Sequence, residues 1–149
     1  MSDTRQRILD DIKTAMRSGD KPRLATLRLI SAALKQREVD ERVVPDEQAT
    51  LAVLDRLMKQ RRESIAQYAR AGRDDLVAGE EAEAAIIGAY LPAALGQAEI
   101  DAMIERAVIE TGAASVKDMG RVMSELRPRL QGRADIGAVS RQVRERLGA

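Results

Sequence analysis

Phenylalanine and tryptophan are absent from this 149-residue chain, and Tyr68 and Tyr90 are its only aromatic side chains. A core without large rings must be filled by Leu, Ile, Val, Met and Ala, which suits helix-on-helix layers. The apolar spacing agrees, because every clear periodicity is helical. Ile8, Leu9, Ile12, Ala15 and Met16 line one face of a helix over Asp3 to Arg17, stopped by Gly19. Pro22 suits the first turn of a second helix, whose stripe of Leu24, Leu27, Ile30, Ala33 and Leu34 runs to about Glu41. Val43-Val44-Pro45 is too short and too Pro-broken for a strand. Asp46 can cap a third helix of about 25 residues ending near Gly72, with Leu51, Leu54, Leu57, Met58, Ile65 and Tyr68 inward. Asp74 and Asp75 fit the first turn of a fourth. Ala85, Ile86, Ala89 and Tyr90 read as its inner face, and Pro92 closes it.

Leu91-Pro-Ala-Ala-Leu-Gly-Gln97 carries Pro and Gly, and the charge balance changes sign across it. It separates an N-terminal helical domain of about four helices, residues 1–92, from a small three-helix C-terminal domain, residues 97–149. Beyond it, Ile100, Met103, Ile104, Ala107 and Val108 mark a fifth helix, ended by Thr111-Gly112. Ser115 with Asp118 resembles a capping box for a sixth, buried through Met119, Val122, Met123, Leu126 and Leu130. Pro128 should end or kink that helix early. Asp135 can cap the last helix, packed through Ile136, Val139, Val143 and Leu147. The fold class is all-α.

The chain has no Cys and no His. Disulfides, thiolate nucleophiles, imidazole bases and ordinary zinc sites are excluded together. The members of the adjacent pairs Asp10-Asp11, Asp74-Asp75 and Glu80-Glu81 point about 100° apart on a helix, so none of the three pairs converges on a proton or a metal. No phosphate-cradling glycine loop is present. No catalytic residue, metal or cofactor is therefore expected. No apolar run reaches signal-peptide or membrane-span length, so no membrane association is expected and a cytoplasmic location is.

The net charge of +1 conceals a pattern: residues 72–96 carry one basic and five acidic side chains, whereas Ser115 to Ala149 carry eight basic and four acidic. Lys117, Arg121, Arg127, Arg129, Arg133, Arg141 and Arg144 fall mostly off the apolar positions. Lys117 and Arg121 are spaced i, i+4, and Arg141 and Arg144 i, i+3, as on shared helix faces. Such a face can contact phosphates, which Arg grips bidentately. The plainer reading is a solvated surface with local ion pairs, such as Glu125 with Arg121 or Arg129. Without Phe or Trp, base stacking is nearly unavailable, so RNA would be bound by shape and phosphates. Sequence readout on DNA is not expected. Lys59-Gln-Arg-Arg-Glu63 is a second basic cluster, read as helix surface with Arg62 and Tyr68 as a possible partner face. Gly120 and Gly137 fall inside helical patterns at about 1 kcal/mol each against Ala, for close helix packing or close approach of a ligand.

The stretches Leu27-Arg-Leu-Ile-Ser-Ala-Ala-Leu-Lys-Gln-Arg-Glu38, Lys59-Gln-Arg-Arg-Glu-Ser-Ile65, Tyr90-Leu-Pro92, Met119-Gly-Arg-Val-Met123 and Gly132-Arg-Ala-Asp135 resemble the YqeY family, in family order over essentially the whole chain. That family is related to the tail domain of the GatB subunit of glutamine-dependent tRNA amidotransferases. The resemblance implies a helical domain followed by a three-helix tail-like domain. It also implies tRNA or another folded RNA as partner, with Lys117, Arg121 and Arg133 foremost among the contacts. Gly96 departs from the pattern, standing where a capping Ser is more usual. The family is often catalogued under carbon–nitrogen ligase activity with glutamine as amido donor. The five lysines lack the Gly/Ser-rich surroundings of a Ser-Ser-Lys amidase, so no self-contained catalysis is expected. Two alternatives remain: an adaptor that holds a protein partner through the N-terminal helices, and a non-catalytic component of an amidotransferase complex.

Overall fold

The computed structural model describes residues 2–148 and is all-α. The chain divides into two compact units, Met1–Leu91 and Pro92–Ala149. The first holds α1 (Asp3–Ser18), α2 (Lys21–Glu41), α3 (Glu47–Arg70) and α4 (Asp74–Gly88). The second holds α5 (Gln97–Thr111), a 3-10 turn (Val116–Asp118), α6 (Met119–Leu130) and α7 (Ile136–Gly148).

Local chemistry sets the helix ends. Asp20 and Asp46 accept from the backbone N–H groups of Arg23 and Ala49, starting α2 and α3. Gly19 and Gly112 end α1 and α5 in the left-handed conformation that glycine adopts without strain. Arg42 does the same for α2 at φ 57° without that freedom. The start of α1 is anchored from a distance. The Glu47 carboxylate, at the head of α3, accepts from the Ser2 hydroxyl (2.8 Å), the Thr4 hydroxyl (2.7 Å) and the Thr4 N–H (2.9 Å). Burial raises the Glu47 pKa, but these bonds outweigh it and hold the group below the ordinary carboxylate value.

The first core gathers Ile8, Ala15, Leu27, Ile30, Leu34, Val53, Leu54, Leu57, Ile87 and Tyr90. Tyr90 donates to Asp11 and lies under the Arg7 guanidinium, 5.3 Å from its ring centroid. Burial and then the Asp11 carboxylate push its phenol up to about 12. The face of α4 differs in part from the sequence expectation, since Ile86 and Tyr90 do pack into this core while the alanines do not. Ile87 is fully buried, while Ala85 and Ala89 are exposed. The true seam is Leu76, Glu80, Glu83 and Ile87, one stripe at 3.6 residues per turn. It faces α3, where Arg61 occupies a stripe position between Leu57 and Ile65. The Arg61 Nη1 reaches Glu80 and Glu83, each at 3.1 Å, with the arginine side chain only 16% exposed. Arg61 therefore belongs to a seam, while its neighbour Arg62 is exposed.

The second core is Ile100, Ile104, Ala107, Val108, Val122, Met123, Leu126, Leu130, Val139, Val143 and Leu147. The Ser115–Asp118 capping box forms, but around the 3-10 turn that precedes α6. Pro128 does not end α6 early, and the helix continues to Leu130, which is fully buried. Asp135 caps α7 by accepting from Gly137 N–H (2.9 Å) and Ala138 N–H (3.3 Å).

Candidate nucleic-acid interface

The seven basic positions singled out from the sequence fall into two groups by what holds them. Arg121 is engaged internally, donating to Asp118 (2.7 Å) and to the Thr111 carbonyl (3.0 Å). It turns to these groups, and no ion pair joins it to Glu125. Asp118 also accepts from the Ala114 and Ser115 N–H groups. The Ala114 bond first, then Arg121 and Ser115, bring its carboxyl down to about 2. Arg133 is half-buried and clasps the segment before α5. Its Nε donates to the Ala93 carbonyl (3.2 Å), and its own carbonyl accepts from Leu95 N–H (2.9 Å). Leu95 in turn packs against the second core.

Lys117, Arg127, Arg129, Arg141 and Arg144 are exposed, and no ion pair or hydrogen bond holds their side chains among the described residues. Lys117 lies in the 3-10 turn, so its spacing from Arg121 is not one turn of a single α-helix. Arg127 and Arg129 stand about 160° apart around α6, on opposite flanks of its buried stripe. The free cations therefore surround part of the unit and do not form one narrow row. The α5–α7 side has another character. Gln97 and Gln142 bond to each other (2.9 Å), Arg146 grips Glu105 through two N–H groups, and Asp101 and Glu145 line the same groove.

Neither tyrosine offers an open stacking platform: Tyr90 is 4% exposed and Tyr68 is half-buried. Among the described residues no cluster of three or more acidic side chains could hold a metal ion. Among the described residues no helix is long and apolar enough to cross a membrane. Gly137 has a local reason, since a Cβ there would meet the Asp135 cap oxygen at 3.3 Å. Close packing does not explain Gly120, where an added Cβ would meet nothing within 4 Å. Signals for the Glu47 anchor and the Arg133 clasp lie far apart in sequence, so only the fold reveals them.

Comparison with known proteins bears on location and family. The chain is 33% identical over 149 residues to "Altered inheritance of mitochondria protein 41, mitochondrial" of Pyrenophora tritici-repentis, covering 96% of this chain and 80% of that protein. It is 37% identical over 107 residues to the protein of the same name from Eremothecium gossypii, covering 71% and 58%. Against the Meyerozyma guilliermondii protein it is 41% identical over 81 residues, covering 54% and 42%. Beyond the first, the chain thus spans about half the length of these relatives. Their names overturn the cytoplasmic expectation, because these relatives are mitochondrial. That expectation rested on missing apolar runs, which do not discriminate between aqueous compartments. The family model described as Yqey-like protein matches residues 5–147, and on that match the chain belongs to the YqeY family.

Proposed function

We propose that the second unit binds the phosphate backbone of a folded RNA, tRNA being the class that kinship with the GatB tail favours. The carrying observation is that Lys117, Arg127, Arg129, Arg141 and Arg144 are exposed with no partner to neutralise them among the described residues. Free guanidinium groups are the forks that phosphates accept. Arg121 and Arg133 complete the seven-residue set, each holding local structure with part of its guanidinium. The scarcity of exposed aromatics favours recognition by shape and charge over base stacking. Each phosphate contact would add about −0.7 to −0.9 to the slope of log affinity against log salt, so this set gives at most about −3.5 to −4.5. Titrating the full chain with a fluorescent tRNA pool across salt concentrations tests this. A flat salt response, or no binding at low salt, rejects the reading.

A protein-adaptor role has one observation in its favour. Val39, Val43 and Val44 are each at least 60% exposed around the end of α2. Binding through such anchors would respond little to salt. A non-catalytic place in an amidotransferase complex rests on the kinship alone, and would show as stimulation of a glutaminase partner by a protein inactive by itself.

A further inference from the structure

Two helical glycines have no reason within the fold. A Cβ added at Gly79 or at Gly120 would meet nothing within 4 Å, and neither residue has positive φ. Glycine weakens a helix relative to alanine, so each position is held below the helical stability its surroundings would allow. Their settings are opposite in charge. Gly79 lies on α4, which carries Asp74, Asp75, Glu80, Glu81 and Glu83 and no basic residue. Gly120 lies on α6, just after the free Lys117.

The wheel of α6 adds a second observation. Gly120, Ser124 and Arg127 follow at i, i+4 and i+7, within an arc of about 60° and a length of about 10 Å. All three are exposed, and no hydrogen bond or ion pair occupies the Ser124 or Arg127 side chain among the described residues. The opposite flank bears Arg121, already committed to Asp118 and Thr111, then Glu125 and Arg129. Only the first flank combines a bare stretch of backbone, a free hydroxyl and a free guanidinium. Hydroxyl and guanidinium groups are typical contacts to phosphate oxygens, and a missing Cβ lets a polymer backbone approach the helix closely.

We infer that the Gly120–Ser124–Arg127 flank of α6 is where the RNA backbone lies. This deepens the RNA reading above and rests on it. Arg127 is a contact on the bound side, Arg129 is not, and Gly120 admits the backbone by lacking a side chain.

The test measures affinity of the full chain for a fluorescent tRNA pool, with thermal midpoints recorded for each variant. Gly120→Gln should fold with a Tm no lower than wild type and lose about 10-fold or more in affinity. Gly79→Gln makes the same change on the acidic helix and should leave affinity unchanged. Arg127→Gln should weaken binding distinctly more than Arg129→Gln, although both remove one positive charge. Equal affinities for the Gly120→Gln and Gly79→Gln proteins, or equal losses for the two arginines, would overturn the inference while leaving RNA binding intact. Failure of the wild type to bind at low salt overturns both, and an acidic protein surface then becomes the partner class to pursue.

Discussion

The α3–α4 hairpin and the α6–α7 pair use arginine in opposite ways. In the hairpin, Arg61 replaces an apolar side chain in the contact stripe and is enclosed by Glu80 and Glu83. On α6 and α7, Arg127, Arg129, Arg141 and Arg144 stand outside the stripe with nothing among the described residues to neutralise them. The first arrangement fixes which residues of two helices meet, since a buried charge is tolerated only opposite its partners. The second leaves the fold indifferent to the charges and available to an acidic ligand. Nearness of a basic residue to a helix surface therefore says little about its role until its partners are known.

Breaking the enclosed cluster should have the largest effect on stability. Arg61→Ala leaves two glutamates facing each other in a half-buried seam. Its loss should be about 2 kcal/mol, below the 3–5 typical of full burial because Glu83 remains partly open to water. Urea unfolding followed by circular dichroism measures it. Arg61→Met with Glu80→Leu and Glu83→Leu should recover most of that loss, since an apolar layer can replace a buried ion cluster. If the triple variant is as unstable as the single one, the seam depends on charge for more than register. Next comes the Glu47 anchor. Glu47→Ala should cost about 1–3 kcal/mol, by stripping the Thr4 N–H and two hydroxyls of their acceptor.

Much of this was legible from residue chemistry, and the misses share a cause. The helix starts at Asp46 and Asp135 and the stops at Gly19 and Gly112 follow from local capping, which a sequence displays directly. On α4 the apolar spacing places Ile86 and Tyr90 in the core but not the rest of the seam, because its alanines fit either side of a helix and two of its seam positions are glutamates. Arg61 looked like surface because Lys59 and Arg62 beside it are surface. The available signal was its place four residues after Leu57 and four before Ile65, matched by the i, i+3 spacing of Glu80 and Glu83. Pro128 misled for another reason. Proline forfeits the backbone bond to the carbonyl four residues back, and here Ser124 and Pro128 both lie on the exposed side of α6, where water can take its place. The seven basic residues were all visible as candidates, but their division into held and free depends on distant carbonyls at Ala93 and Thr111.

Asp118 lies between the two extremes, a charge used locally on an otherwise free surface. Its carboxyl sits at about 2 in the folded protein, against an ordinary value of 3.8. A depressed carboxylate contributes stability above its unfolded pKa and loses it as pH falls through the folded one. The contribution is therefore complete above about pH 4 and fades toward pH 2. In Asp118→Asn the acid limb of the stability curve should be shallower across that window. An unchanged limb would mean that the Ala114 and Ser115 N–H groups do not depend on this carboxylate.

The smallest stability effects should come from the free cations. Lys117→Gln, Arg127→Gln, Arg129→Gln, Arg141→Gln and Arg144→Gln remove charges that touch nothing inside the protein. Each should shift the unfolding free energy by no more than about 0.5 kcal/mol, the ordinary range for surface substitutions. Because these residues share no partners, their effects should add, and the fivefold variant should remain folded. This near-silence distinguishes the two uses of arginine most sharply. Any one of the five that destabilises as Arg61→Ala does must have an internal partner and would leave the ligand-facing set. If all five are silent in unfolding, yet together abolish salt-sensitive RNA binding, their charge serves the ligand and not the fold.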